Sequence, residues 1–173
     1  MKKRTKIILW SLGGLVLLLC AVGTIYLIVM YEPDLERGRE GGSGLPGKRL
    51  LIASSGSSFK QALLRELETR LLADRIPFRI IPLRELPAVD PAIYRAVVLI
   101  NSCEMYKMDS RVRAFLTKYR DYSRIVLVTT SGPGTWKTKD FAIDTVSGAS
   151  KRGVAPSLAE TIMSRVRRIV VPE

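Results

Sequence analysis

The chain is expected to be an α/β protein: a doubly wound, five-stranded parallel sheet preceded by one transmembrane helix. Two observations lead there, an uncharged apolar run near the N-terminus and a later alternation of Ile/Val-rich runs with helical stripes. Between Lys6 and Glu32 no residue is charged. As a helix, residues 7–31 cover roughly 37 Å at about 1.5 Å per residue, enough for a hydrocarbon core of about 30 Å with some tilt. The competing reading is a cleaved secretory signal, whose apolar region usually spans about 7–15 residues. Here apolarity continues past Ala21, Val22 and Gly23 to Met30. Leu19, before Cys20, is not the small residue that a lipoprotein cleavage site carries.

The flanks orient this span. Lys2, Lys3, Arg4 and Lys6 precede it, whereas only Arg37 and Arg39 supply positive charge close behind it. Basic flanks stay on the cytoplasmic side, so the N-terminus is expected inside and the bulk of the chain outside the cell membrane. The chain then divides into a basic tail (1–6), the span (7–31), a linker (32–47) and one domain (48–173). The linker mixes charges with Gly41, Gly42, Ser43 and Gly44, which offers no face to bury and reads as flexible.

The net charge is +12, and most of that excess falls in the domain. A basic surface suits anionic lipid headgroups. Nucleic acid is not expected as a partner, because the arginines are scattered and no stacking-aromatic motif accompanies them. The two cysteines, Cys20 and Cys103, fall one in the span and one in the domain, so a disulfide within the domain and a cysteine zinc site are excluded. Histidine is absent, which removes Ser/His and Cys/His nucleophile systems and imidazole metal sites. No catalytic side chain and no metal ligand set is expected; redox chemistry would have to come from a cofactor.

Five apolar runs are expected as strands: 49–53, 78–81, 96–100, 125–129 and 141–146. They mostly lack strict alternation, as where both faces of a parallel sheet are covered. Phe59, Leu63, Leu64, Leu67, Leu71 and Leu72 form one helical stripe, opened by Ser58 with a capping-box spacing. Val112, Phe115, Leu116 and Tyr119 form a second, capped by Asp109 or Ser110. Leu158, Ile162, Met163, Val166 and Val170 form a third, opened by Pro156 and Ser157. Residues 90–94 allow one or two turns, and 131–140 is too short for a proper helix.

In such sheets a ligand lies beyond the carboxyl ends of the strands, where strand order reverses. The loop Ser54, Ser55, Gly56, Ser57, Ser58 runs straight into a helix N-terminus, where amides, hydroxyls and the dipole suit a phosphate. A plain turn with an N-cap gives the same pattern. Asn101 and Ser102 lead into a loop carrying Tyr106, and Ser131 and Gly132 into one carrying Trp136. Two aromatic planes could sandwich a flat ring, or either could plug the surface.

On these residues the domain resembles the flavodoxin-like family over nearly its whole length. Ser54 to Ser58 match the family's flavin-phosphate loop, and Tyr94 to Ser102 followed by Met105, Tyr106, Lys107, Met108, Phe115 and Leu116 look like its stretch bordering the isoalloxazine. The resemblance implies FMN as cofactor and electron transfer as activity, exchanged with a redox protein partner. The chain departs from the family in having Ser58-Phe59 where a Thr usually ends the loop, and in being basic. The segment from Asp144 to Ser150 is also similar to a motif of another flavin module, which links FMN covalently to its last residue; a strand ending in a Ser/Gly loop accounts for it equally. Receiver domains need an Asp where Asn101 stands, and low-molecular-weight phosphatases need an Arg where Asp109 stands. The alternative function is a degenerate flavodoxin-like module without flavin, serving as an interaction or envelope-associated domain.

Overall fold

The computed structural model describes residues 2–30, 33–43, 49–104 and 107–170. Two compact units result, Met1–Glu32 and Pro33–Glu173.

The first unit is the helix α1 (Lys2–Met30). Its described side chains are exposed, among them Trp10, Leu12, Leu15, Leu17, Leu19, Val22 and Ile25. Among the described residues no helix is long and apolar enough to cross a membrane. The span expected over 7–31 includes side chains outside the described set, Tyr31 among them, and so remains a reading of the sequence.

The second unit is an α/β domain. Its described strands are β1 (Arg39–Gly41), β2 (Leu50–Ser54), β3 (Phe78–Pro82), β4 (Ala96–Glu104), β5 (Lys107–Met108), β6 (Ile125–Ser131) and β7 (Thr145–Ala149). They lie in the order β1-β3-β2-β4-β6-β7, with β5 paired to β4. The five long strands β3-β2-β4-β6-β7 are mutually parallel. Numbered among themselves they read 2-1-3-4-5, the flavodoxin-like order.

The strands are apolar on both faces, and the pleat divides them between two cores. Ile52, Ile80, Val98, Ile100, Val126 and Val128 point to one side, beneath Leu63, Leu64, Leu67 and Leu71 of α2 (Ser58–Ala73) and Leu158, Ile162, Met163 and Val166 of α4 (Ala155–Val170). Leu51, Ala53, Ile81, Val97, Leu99 and Leu127 point to the other, beneath Val112, Phe115 and Leu116 of α3 (Ser110–Lys118). On that side Leu83 and Leu86 come from a short 3₁₀ turn over Leu83–Ala88. In β2 and β6 both phases of the alternation are buried, whereas β7 at the edge buries only Val146 and Gly148.

Three expectations are corrected. The sheet has seven described strands rather than five, because two short antiparallel pieces join it: β1 pairs with β3, and β5 folds back on the end of β4. The last parallel strand is Thr145–Ala149 rather than 141–146, because Phe141 and Ile143 pack against the α3-side core and do not extend the sheet. Gly148 suits this later strand, since a Cβ there would fall 2.7 Å from Leu158. Finally, the second unit begins at Pro33 instead of 48, because residues 33–41 of the expected linker are docked on the domain. Leu35 is buried in the α2/α4-side core, and β1 lies against the edge of β3.

Candidate functional site at the switch point

Strand order reverses at β2: the chain passes from β2 to β3 on one side and then crosses to β4 on the other. The loops after β2 and β4 therefore flank the crevice in which open α/β sheets hold their ligands. Ser54 ends β2, level with Ile100 of β4, and its hydroxyl donates to the Ser55 carbonyl at 3.0 Å. Ser55 and Gly56 are buried, Ser57 is half-buried and Ser58 exposed. Ser57 caps α2, its hydroxyl accepting from the Lys60 amide at 3.4 Å. The Gly56 carbonyl accepts from Gln61 Nε2 at 2.8 Å.

Lys60, in the first turn of α2, is fully buried. Its ammonium donates to the hydroxyls of Ser55 at 2.7 Å and Ser102 at 2.6 Å, so one cation joins the end of β2 to the end of β4. A cation in the first turn opposes the helix dipole, and its removal from water adds a further cost. Polar partners at both strand ends offset these. The sequence reading missed Lys60, although 60, 64, 67 and 71 follow one helical stripe that ends in three buried leucines.

Beyond Ser102 the edge stays polar and closed. Asn101 is fully buried, with Nδ2 donating to the Val128 carbonyl at 3.0 Å and to the Thr129 hydroxyl at 3.1 Å. Its Oδ1 is a buried acceptor without a hydrogen-bond partner among the described residues. Ser131 ends β6, and its hydroxyl accepts from the Gly134 amide at 3.0 Å; Gly132 is exposed. Trp136 is half-buried against the α3-side core, as are Phe141 and Ile143, with its carbonyl held by Ser147 at 2.6 Å. Tyr106 lies outside the described residues. The structure thus gathers Ser54, Ser55, Gly56, Ser57, Asn101 and Ser102 around the switch point. Ser131 stands further along the edge, and Trp136 is engaged in packing.

A strap formed by residues 33–36 crosses this loop. The Pro33 carbonyl accepts the Gly56 amide at 2.7 Å, and Asp34 bridges antiparallel to Ser55. A Cβ on Gly56 would lie 2.5 Å from the Asp34 carbonyl oxygen. The Asp34 carboxylate accepts from the amides of Leu83 and Arg84, each at 3.0 Å, and from the Arg111 guanidinium at 3.1 Å. Arg84 in turn holds the carbonyls of Leu35 at 2.5 Å and Glu36 at 2.8 Å. Arg111 also pairs with Asp109, the N-cap of α3, at 2.7 Å. Burial pushes the Asp109 carboxyl up, but the Arg111 guanidinium and the amides of Arg111 and Val112 more than reverse this and hold it below the ordinary value. The hydrogen bond that the Arg111 guanidinium donates to Asp109 in turn raises the pKa of Arg111.

The serines, the glycine and the helix start of this loop are residue types that fit an FMN phosphate. With the strap docked, however, the close approach that Gly56 permits is taken by the backbone at Asp34. A concavity of about 430 Å³ between Pro91, Tyr119, Arg120 and Arg124 opens at the opposite end of the strands.

By its strand order the second unit has a flavodoxin-like α/β fold. No family and no curated protein matches the chain. Among solved structures, the crystal structure of general stress protein 14 from Treponema denticola in complex with FMN is similar, at 13% identity and a TM-score of 0.44. That similarity covers 70% of this chain and 99% of that one.

Proposed function

We propose that the chain is a membrane-tethered, FMN-binding flavodoxin-like protein acting in electron transfer. The observation that carries this reading is the loop 54–58, placed at the switch point and opening α2 above the buried Lys60. Its amides and hydroxyls, with the positive end of α2, are the groups that would hold the phosphate. Asn101, Ser102 and Tyr106 would border the ring, with Ser131, Gly132 and Trp136 on its far side. The flavin supplies one- or two-electron chemistry; the chain binds, orients and shields it. The bilayer reading is supported by the uncharged run 7–31 and by the exposed apolar side chains of α1, which a water-facing helix would not carry in such density.

Purifying the full chain in detergent tests the cofactor. A yellow protein, or a colourless one that takes up stoichiometric FMN, supports it; absence of uptake at saturating FMN refutes it. For orientation, a Ser43→Cys chain lacking Cys20 and Cys103 should react with a membrane-impermeant maleimide on intact cells once any outer membrane is opened. Labelling only after lysis would place the domain inside.

One observation favours the second reading, a flavin-free interaction module: Pro33 and Asp34 already occupy the backbone of the loop at Gly56. In that reading the strap is a permanent part of the fold.

A further inference from the structure

We propose that the strap 33–36 is a latch that shuts the phosphate loop, and that a phosphate-bearing ligand binds only when Asp34 releases its partners. The proposal rests on the FMN reading above and concerns the regulation of that same site. Gly56 has one amide proton, and it is given to the Pro33 carbonyl. The volume that a Cβ of Gly56 would enter is filled by the carbonyl oxygen of Asp34. A phosphate oxygen accepting from Gly56 would need both that proton and that space. Docked strap and bound phosphate therefore exclude one another.

The latch is built to hold. Besides the Leu35 amide within the strap, Asp34 receives the backbone amides of Leu83 and Arg84 and the Arg111 guanidinium, with the Arg84 guanidinium 3.7 Å away. Hydrogen bonds with a charged partner are roughly twice as strong as neutral ones. Leu35 adds an apolar anchor in the core, and Arg84 pins the carbonyls on either side of the Leu35–Glu36 peptide. Binding is then selected from the open fraction, and the apparent dissociation constant is the intrinsic one divided by that fraction. Weakening Asp34 raises the fraction and tightens binding without changing any group that touches the ligand.

The experiment uses the full chain in detergent micelles, as wild type and as Asp34→Asn, which sets an amide NH₂ among donors. FMN and riboflavin, which lacks the phosphate, are titrated into each, and amide hydrogen exchange is followed in wild type with and without FMN. The latch predicts FMN binding at least tenfold tighter in Asp34→Asn, with riboflavin unchanged. It also predicts that FMN speeds exchange at Leu83 and Arg84, which lose Asp34, while Gly56 stays protected. Equal FMN affinity in both proteins, an equal gain for riboflavin, or FMN binding that leaves Leu83 and Arg84 protected would overturn the latch and leave the cofactor reading standing. No FMN binding to either protein would overturn both. The exchange measurement on wild type decides the matter even if Asp34→Asn folds poorly.

Discussion

The Lys60 ammonium lies 2.6 Å from the Ser102 hydroxyl, although 42 residues separate them in the chain. That contact ties α2 to the end of β4 across the point where strand order reverses. It also puts a cation under the loop expected to take a phosphate.

Lys60→Met should therefore act twice. The hydroxyls of Ser55 and Ser102 lose their buried donor, at a cost of about 1–3 kcal/mol, read as a lower urea midpoint. FMN affinity should also fall about tenfold, which corresponds to ~1.4 kcal/mol. Unchanged FMN affinity in a folded variant would restrict Lys60 to holding the two strands together.

Leu35 distinguishes a docked strap from a free linker. Leu35→Ala removes a side chain buried between sheet and helix, and Leu→Ala in a core costs about 2–5 kcal/mol. Chemical unfolding of the domain should show a loss at the lower end of that range, since Leu35 sits at the margin of the core. A change near zero would mean that the segment does not dock.

Acid should loosen the start of α3. Asp109 is held below its ordinary 3.8, so its stabilisation is complete above that value and is lost as pH falls through the lower folded one. Asp109→Asn keeps a good N-cap but removes the titration. Its stability should therefore fall less than that of wild type as pH drops below 3.8. Parallel acid profiles for the two proteins would contradict this.

Trp136 is expected to stabilise the domain whether or not flavin is present. Its side chain packs on the α3-side core. Full truncation of a buried Trp costs about 3–5 kcal/mol, and half-burial scales this to about 2 kcal/mol. Trp136→Ala should lower the urea midpoint of flavin-free protein. If it leaves that midpoint unchanged and weakens only FMN binding, the ring serves the pocket alone.

The parallel sheet could be read from the sequence because its strands announce themselves. Residues 50–53, 97–100 and 125–128 are unbroken apolar runs, and Leu63, Leu67, Leu71 and Ile162, Val166 repeat at helical spacing. The loop 54–58 was legible as a connection by the same logic, since its Ser/Gly run separates the apolar strand 50–53 from the helical stripe that begins at Phe59. The strap was not legible. Only Leu35 in it is apolar, and its affinity for the domain comes from Asp34 meeting Leu83, Arg84 and Arg111 from 49 to 77 residues away. No local periodicity records such contacts. Phe141 and Ile143 misled for a related reason: an apolar pair reads alike whether it extends a sheet or caps a core.

Pairing of β1 with β3 sets what the end of the sheet offers to other chains. Without it, the five residues Phe78–Pro82, with Phe78, Ile80 and Ile81 among them, would present open amides and carbonyls for strand addition. The sheet ends instead in three residues, Arg39, Glu40 and Gly41. Their charges are engaged sideways, Arg39 with Glu68, and Glu40 with Arg49 and Arg79. A short charged rim is a poor template for a second copy, so the segment that resembled a linker shields this edge of the sheet from strand addition.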